Sequence, residues 1–153
     1  MDKPVVVVSG YFNPLHRGHI EYFKLAKQYA GKDGLVYVIV NSDNQSLLKK
    51  KFSFIPEQDR LEIIKAIKYV DYAMISIDTD RTVCKSIEWL CNNKKKPTHF
   101  ANGGDVNVNN KCPEEQVCVM YGINLLYGLG DKIQSSSWIL EKSVKEAHNI
   151  LFA

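Results

Sequence analysis

Two apolar runs constrain the fold more than any other feature of this chain. Val5-Val6-Val7-Val8 and Leu35-Val36-Tyr37-Val38-Ile39-Val40 are apolar throughout, so each predicts a strand buried on both faces. Between them Ile20, Phe23, Ala26 and Ala30 put an apolar stripe on a helix. Gly31-Lys32-Asp33-Gly34 ends that helix with a glycine suited to a C-terminal cap. A buried strand, a helix and a second buried strand imply a parallel sheet with a right-handed crossover. The pattern continues. Residues 70–77 predict a third strand, 81–93 a helix with Val83, Ile87, Leu90 and Cys91 on its apolar face, and 98–101 a short fourth strand. Pro113-Glu114-Glu115 opens a helix on which Val117, Met120 and Tyr121 are apolar, and residues 123–127 form a fifth strand. Residues 138–151 predict a helix with Ile139, Val144, Ala147 and Leu151 buried. The class is α/β, and 153 residues suit a single domain, 1–153, with one core.

The connection between the first strand and the first helix, Ser9-Gly10-Tyr11-Phe12-Asn13-Pro14-Leu15-His16-Arg17-Gly18-His19, carries the chemistry. At a spacing of three, His16 and His19 share one face of the helix start. Amide N–H groups left unpaired there attract phosphate. Two imidazole donors beside them suit a polyphosphate that gains negative charge as it reacts. A single histidine at this place is an ordinary cap or surface residue; two, directly after strand-Gly-aromatic-Asn-Pro, point to a site.

The other candidates follow strand ends, where ligands bind in open α/β sheets. Asn41-Ser42-Asp43 either faces a ligand or is plain turn chemistry. Lys49-Lys50-Lys51 lies in a loop leaving the same edge, so one lysine can reach a triphosphate; a solvated surface is the alternative. Pro56-Glu57-Gln58-Asp59-Arg60 opens a helix that Leu61, Ile63, Ile64, Ile67 and Lys68 continue. Arg60 either points back to the crevice or pairs within its helix. Asp78-Thr79-Asp80 can hold a divalent ion, or Asp80 can cap the next helix. In Asn102-Gly103-Gly104-Asp105 the glycines allow close backbone approach, and Asp105 can bind ribose hydroxyls or a metal, or simply end a turn. Ser135, Ser136 and Ser137 at a helix start make a phosphate cradle or a cap.

Composition excludes several classes. The net charge of +3 suits a small anionic substrate and is too weak to argue for nucleic acid. No apolar run is long enough to cross a membrane, and Met1-Asp2-Lys3-Pro4 lacks a signal-peptide pattern, so a cytoplasmic location is expected. Cys84, Cys91, Cys112 and Cys118 form no Cys-x-x-Cys and read as structural thiols.

The stretch from Gly10 to His19 resembles the cytidylyltransferase-like nucleotidyltransferases, whose signature is His-x-Gly-His after the first strand. Asn41-Ser42-Asp43, a downstream lysine, Asp59-Arg60, Val70-Asp71 and Asp78-Thr79 look like segments of the branch that makes ADP-heptose. Asn102-Gly103-Gly104-Asp105 is similar to its Lys-Gly-Gly-Asp, and Ser135-Ser136-Ser137-Trp138-Ile139 to its late Ser-Thr-Thr-x-Ile. The resemblance implies a Rossmann-like parallel sheet in order 3-2-1-4-5 with helices on both faces, Mg²⁺ arriving with the nucleotide, pyrophosphate release and a homodimer. It implies catalytic roles for His16, His19, Lys49 and Ser136. Nucleotide binding would fall to Ser9, Gly10, Tyr11, Phe12, His16, Gly18, His19, Asn102, Gly104, Asp105, Ser135, Ser136 and Ser137. Acceptor binding would fall to Asn13, Asn41, Asp43 and Arg60. No dedicated metal ligand is expected. The implied reaction moves CMP or AMP from CTP or ATP to a phosphorylated sugar or polyol. Departures keep a second acceptor open: Asn13 stands where the heptose and glycerol-3-phosphate branches usually have Asp, and Asn-Pro looks more like adenylyltransferases acting on mononucleotides. Gln134 replaces the usual Ile, and Leu140 a frequent basic residue. A nucleotide-binding regulatory module without chemistry is the rival class.

Overall fold

Period-two alternation along the valine run decides the layering. In a computed structural model that describes residues 3–50, 53–102, 113–127, 129, 142 and 144–150, five strands form one parallel sheet. They are β1 (Val5–Gly10), β2 (Leu35–Val40), β3 (Tyr72–Ile75), β4 (His99–Asn102) and β5 (Asn124–Tyr127), in order β3-β2-β1-β4-β5. The helices are α1 (Arg17–Ala30), α2 (Asp43–Lys50), α3 (Glu57–Lys65), α4 (Cys84–Asn93) and α5 (Glu115–Tyr121). Val6, Val8, Val36 and Val38 pack against Phe23 and Ala26 of α1 and Ile64 of α3. Val5, Val7 and Ile39 pack against Ile87 and Leu90 of α4 and Cys118 of α5. Burial on both faces makes each of these side chains worth about 1.5–3 kcal/mol. Successive residues of one strand therefore serve two cores, which is why the run cannot alternate with polar residues.

Register aligns the strand ends. Gly10 pairs with Val40, Val40 with Ile75, Val8 with Ala101, and Asn102 with Tyr127. The carboxyl ends of all five strands thus lie along one edge. Gly31 caps α1 at φ +82°, with its N–H donating to Lys27 O at 3.0 Å. Among the described residues no helix is long and apolar enough to cross a membrane.

Several local expectations are corrected. Lys49 and Lys50 are not in a loop but end α2. That helix forms because Ser42 Oγ accepts from Gln45 N–H (3.2 Å) while Gln45 Oε1 accepts from Ser42 N–H (2.9 Å), a reciprocal cap. α3 stops at Lys65, short of Ile67 and Lys68, and buries Arg60, Leu61 and Ile64, leaving Ile63 exposed. α4 starts at Cys84, not Arg81, and its first-turn amides are met by Asp78: the carboxylate accepts from Lys85 N–H (2.7 Å) and Ser86 N–H (2.9 Å). Asp80 instead accepts from Thr82 N–H and Oγ1, closing its own turn. α5 turns Cys118 inward and leaves Met120 exposed. Residues 144–150 are helical, but Val144 and Ala147 are exposed, because no described element covers that segment. Among the described residues, Cys84, Cys91 and Cys118 are free thiols.

Candidate active site

The turn from β1 into α1 is built around Phe12. This residue takes φ +52°, a left-handed conformation costing about 1–2 kcal/mol. Its ring is buried against Phe23 (centroids 5.4 Å) and edge-on to His19 (4.8 Å), and that burial offsets the strain by about 1.5–3 kcal/mol. The backbone can make this turn because residue 10 is glycine: a Cβ there would lie 2.7 Å from the Phe12 ring.

His16 is the N-cap of α1, and the two imidazoles form a capping box. His16 Nδ1 accepts from Gly18 N–H (3.1 Å), and His19 Nδ1 accepts from His16 N–H (3.2 Å). The rings stack with centroids 3.8 Å apart. A neutral imidazole whose Nδ1 accepts must carry its hydrogen on Nε2. Both rings therefore share one tautomer. Burial pushes the His16 pKa below its ordinary value, which favours the neutral donor form. The expectation of free helix amides is corrected here. Gly18 N–H is taken by His16, and His19 N–H and Ile20 N–H bond His16 O at 3.0 and 3.3 Å. An anion at this helix start meets imidazole N–H groups in place of those amides.

The four residues nominated for the acceptor are found bonded to the protein itself. Arg60, 1% exposed, donates from Nε to Ile55 O (2.8 Å), from Nη1 to Tyr11 O (2.7 Å) and Asn41 O (2.6 Å), and from Nη2 to Asp43 Oδ1 (2.7 Å). Asn13, 2% exposed, donates to Ser53 Oγ (3.1 Å) and accepts from Ile55 N–H (2.6 Å). Asn41, 4% exposed, donates to Gln45 Oε1 (3.1 Å). Asp43 accepts from Ser53 Oγ (2.8 Å) and Glu57 N–H (3.2 Å), while Asp43 N–H donates to Glu57 Oε1 (2.8 Å). Burial raises the Asp43 pKa, but the hydrogen bonds from Ser53, Arg60 and Glu57 outweigh it and hold the carboxyl below its usual value. Arg60 thus ties the connections after β1 and β2 to the start of α3. It neither reaches into a crevice nor pairs with Glu57. Ser53 and Gln45, absent from the sequence candidates, complete the framework.

Tyr11 does face other polar groups. Lys49 Nζ stands 4.4 Å from its ring centroid, so this member of the lysine triplet reaches the histidine turn. Burial raises the Tyr11 phenol pKa, with a smaller push from Glu114, and outweighs the positive charge of Arg81, a residue absent from the sequence candidates. Ser9, next to last in β1, pairs with Ile39, and Asn102 ends β4 at the same sheet edge. Gly104, Asp105, Ser135, Ser136 and Ser137 lie outside the described residues, as do Lys51 and Gly103. Asp78 is spent on α4, and among the described residues no three His, Cys, Asp or Glu side chains are placed to hold a metal ion.

Known proteins resemble this chain in sequence and in fold. A sequence model described as cytidylyltransferase-like matches residues 7–126. An FAD synthase from Methanothermus fervidus is 34% identical over 105 residues, covering 69% of this chain and 68% of that protein. An FAD synthase from Methanobrevibacter smithii is 40% identical over 70 residues, so the match spans only 46% of that relative. A solved lipopolysaccharide core biosynthesis protein from Thermoplasma volcanium has a TM-score of 0.59, covering 82% of this chain and 93% of its own, at 23% identity. That last likeness is one of fold.

Proposed function

Because the chain belongs to the cytidylyltransferase-like family and is a nucleotidyltransferase, we propose that it moves an adenylyl group from ATP to the phosphate of FMN, forming FAD and pyrophosphate. The observation that carries this is the stacked His16–His19 pair at the end of β1, both rings fixed with Nδ1 on an amide. The acceptor is supported by the relatives named FAD synthase and by Asn13-Pro14, which looks like the mononucleotide adenylyltransferases. It replaces the phosphorylated sugar or polyol that the sequence first suggested, and ATP replaces the open choice of ATP or CTP.

An FMN phosphate oxygen attacks the α-phosphorus of ATP in line. The new P–O bond forms as the bond from the α-phosphorus to the bridging oxygen breaks, and pyrophosphate leaves with that electron pair. The attacking oxygen is already anionic, so no proton need be removed from it. Catalysis is then positioning plus charge stabilisation. The two Nε2–H groups donate to phosphate oxygens where charge grows. Lys49 adds a cation beside them. Ser9, Gly10, Tyr11, Phe12 and Gly18 shape the wall for the nucleotide, and Asn102, Gly104, Asp105, Ser135, Ser136 and Ser137 are assigned to its ribose and phosphates. Mg²⁺ would enter on the triphosphate, which suits an ion that keeps its waters and takes few protein ligands, and would supply charge neutralisation there.

The test is product analysis. Protein with ATP, Mg²⁺ and FMN should give FAD and pyrophosphate, stop in EDTA and restart with excess Mg²⁺. CTP, and glycerol 3-phosphate or sugar phosphates in place of FMN, should give little product. Turnover of a polyol or sugar phosphate with none of FMN would overturn the assignment.

A further inference from the structure

Two tyrosines fasten the first helix to one strand. Tyr22 and Tyr29 stand two turns apart on α1 and share one face of it. The half-buried Tyr22 donates its hydroxyl hydrogen to Ala101 O. Tyr29 Oη shares a hydrogen bond of 3.2 Å with His99 Nε2, and its ring lies edge-on to that imidazole with centroids 5.0 Å apart. Both partners belong to β4. The body of α1 lies over β1 and β2, so the tyrosines reach sideways to the next strand. A crossover helix runs back against its strands. Tyr22 therefore meets the carboxyl end of β4, and Tyr29 meets its amino end.

Of the two, Tyr22 stands beside the reacting groups. A row of neighbouring rings leads from it to the histidines. Between centroids, Tyr22 is 6.3 Å from Phe23, Phe23 is 5.4 Å from Phe12, Phe12 is 4.8 Å from His19, and His19 is 3.8 Å from His16. Aromatic neighbours at such separations hold preferred mutual orientations. The imidazoles are bonded through Nδ1 to the backbone of their own helix start, so they travel with α1. The place of their Nε2–H groups at the sheet edge is then set by how the start of α1 is seated. Tyr22 fixes that seat on Ala101, a fully buried residue, where a hydrogen bond is stronger than in water. Resting on the reading of the chain as an adenylyltransferase, we infer that Tyr22 is a positioning residue: its bond to Ala101 O sets the reach of the His16 and His19 donors. Tyr29 seats only the far end of the same helix. A displacement of about 1 Å at reacting groups costs up to about 10²-fold in rate, so one hydroxyl can govern turnover without touching substrate.

The experiment sets one tyrosine against the other. Tyr22→Phe and Tyr29→Phe each delete one oxygen and keep the ring, so each should melt about 2–4 °C below the wild type. Their effects on the reaction should differ. In pyrophosphate release from ATP with FMN, Tyr22→Phe should lower kcat roughly ten-fold and leave both KM values within about two-fold. Tyr29→Phe should keep kcat within about two-fold of the wild type. The imidazole C–H proton resonances of the four histidines are then followed at neutral pH. Tyr22→Phe should move those of His16 and His19 and leave His99 in place, whereas Tyr29→Phe should move His99 and leave the pair. Equal losses of kcat in the two variants, or unmoved His16 and His19 resonances in Tyr22→Phe, overturn the inference. A raised KM for ATP with kcat unchanged also overturns it, because Tyr22 would then touch the nucleotide itself. Should the wild type make no FAD, the FMN reading falls by itself. The positioning role is then judged on the resonances: movement of the His16 and His19 signals in Tyr22→Phe alone upholds it, and any other pattern overturns it.

Discussion

Replacing Arg60 by Met keeps a long apolar stem and removes every donor. Four hydrogen bonds go, to Ile55 O, Tyr11 O, Asn41 O and Asp43 Oδ1. Removing one partner of a buried ion pair costs about 3–5 kcal/mol, and each buried carbonyl left unpaired adds about 1–3 kcal/mol. Two facts reduce the sum. The Asp43 side chain is 36% exposed and keeps its bonds from Ser53 and Glu57 N–H. Water can also enter the emptied space. A net loss of about 4 kcal/mol follows, against a total of about 5–15 kcal/mol for a domain. With a urea m-value of about 2 kcal/mol/M, the unfolding midpoint should fall by about 2 M. Arg60→Lys should rescue little, because one ammonium cannot serve three connections at once. The assay is urea unfolding followed by far-UV circular dichroism, with acceptor binding measured on whatever remains folded. A midpoint within about 0.5 M of wild type, together with lost acceptor binding, would refute the framework role and restore direct contact between Arg60 and the acceptor.

Other perturbations bear on the same turn. His16→Ala and His19→Ala should each lower kcat by roughly 10²–10³, the range for one preorganised donor, read as pyrophosphate release; wild-type turnover by the double variant would falsify their role. His16 is held below its ordinary value of 6.5 by burial, so its contribution to stability is complete above that value and is lost as pH falls from 6.5 through the lower folded pKa. Thermal melts between about pH 7 and pH 5 should therefore decline more steeply for wild type than for His16→Asn. Gly10→Ala puts a methyl 2.7 Å from the Phe12 ring and should cost about 1–3 kcal/mol with a lowered kcat, since Phe12 must shift off His19. Unaltered melting and activity would show that the turn yields freely.

The layers of the fold were legible because they rest on local pattern. Val5 to Val8 and residues 35–40 could only be doubly buried strands, and the sheet order follows the family resemblance of the histidine turn. α2 has a local signal that its polarity hides: Ser42-Asp43-Asn44-Gln45 is a Ser-x-x-Gln capping box whose composition equally suits a turn. Sequence proximity favours Asp80 as the cap of α4, whereas Asp78 reaches over six residues to Lys85. The buried network was not legible at all. Asn13 meets Ser53 across forty positions and Arg60 meets Tyr11 across forty-nine, and nothing local distinguishes such a polar residue from one that awaits a ligand.

The imidazole capping box has a consequence for engineering. Serine, threonine and aspartate are better helix caps than histidine, so His16→Ser should strengthen the start of α1 while deleting a donor to the reacting phosphates. A selection that scores only resistance to heat or protease should therefore enrich His16→Ser or His16→Asp, and the most robust clones would be inert. Thermostability and turnover compete here for the same atoms, so any directed evolution of this chain has to hold position 16 out of the library.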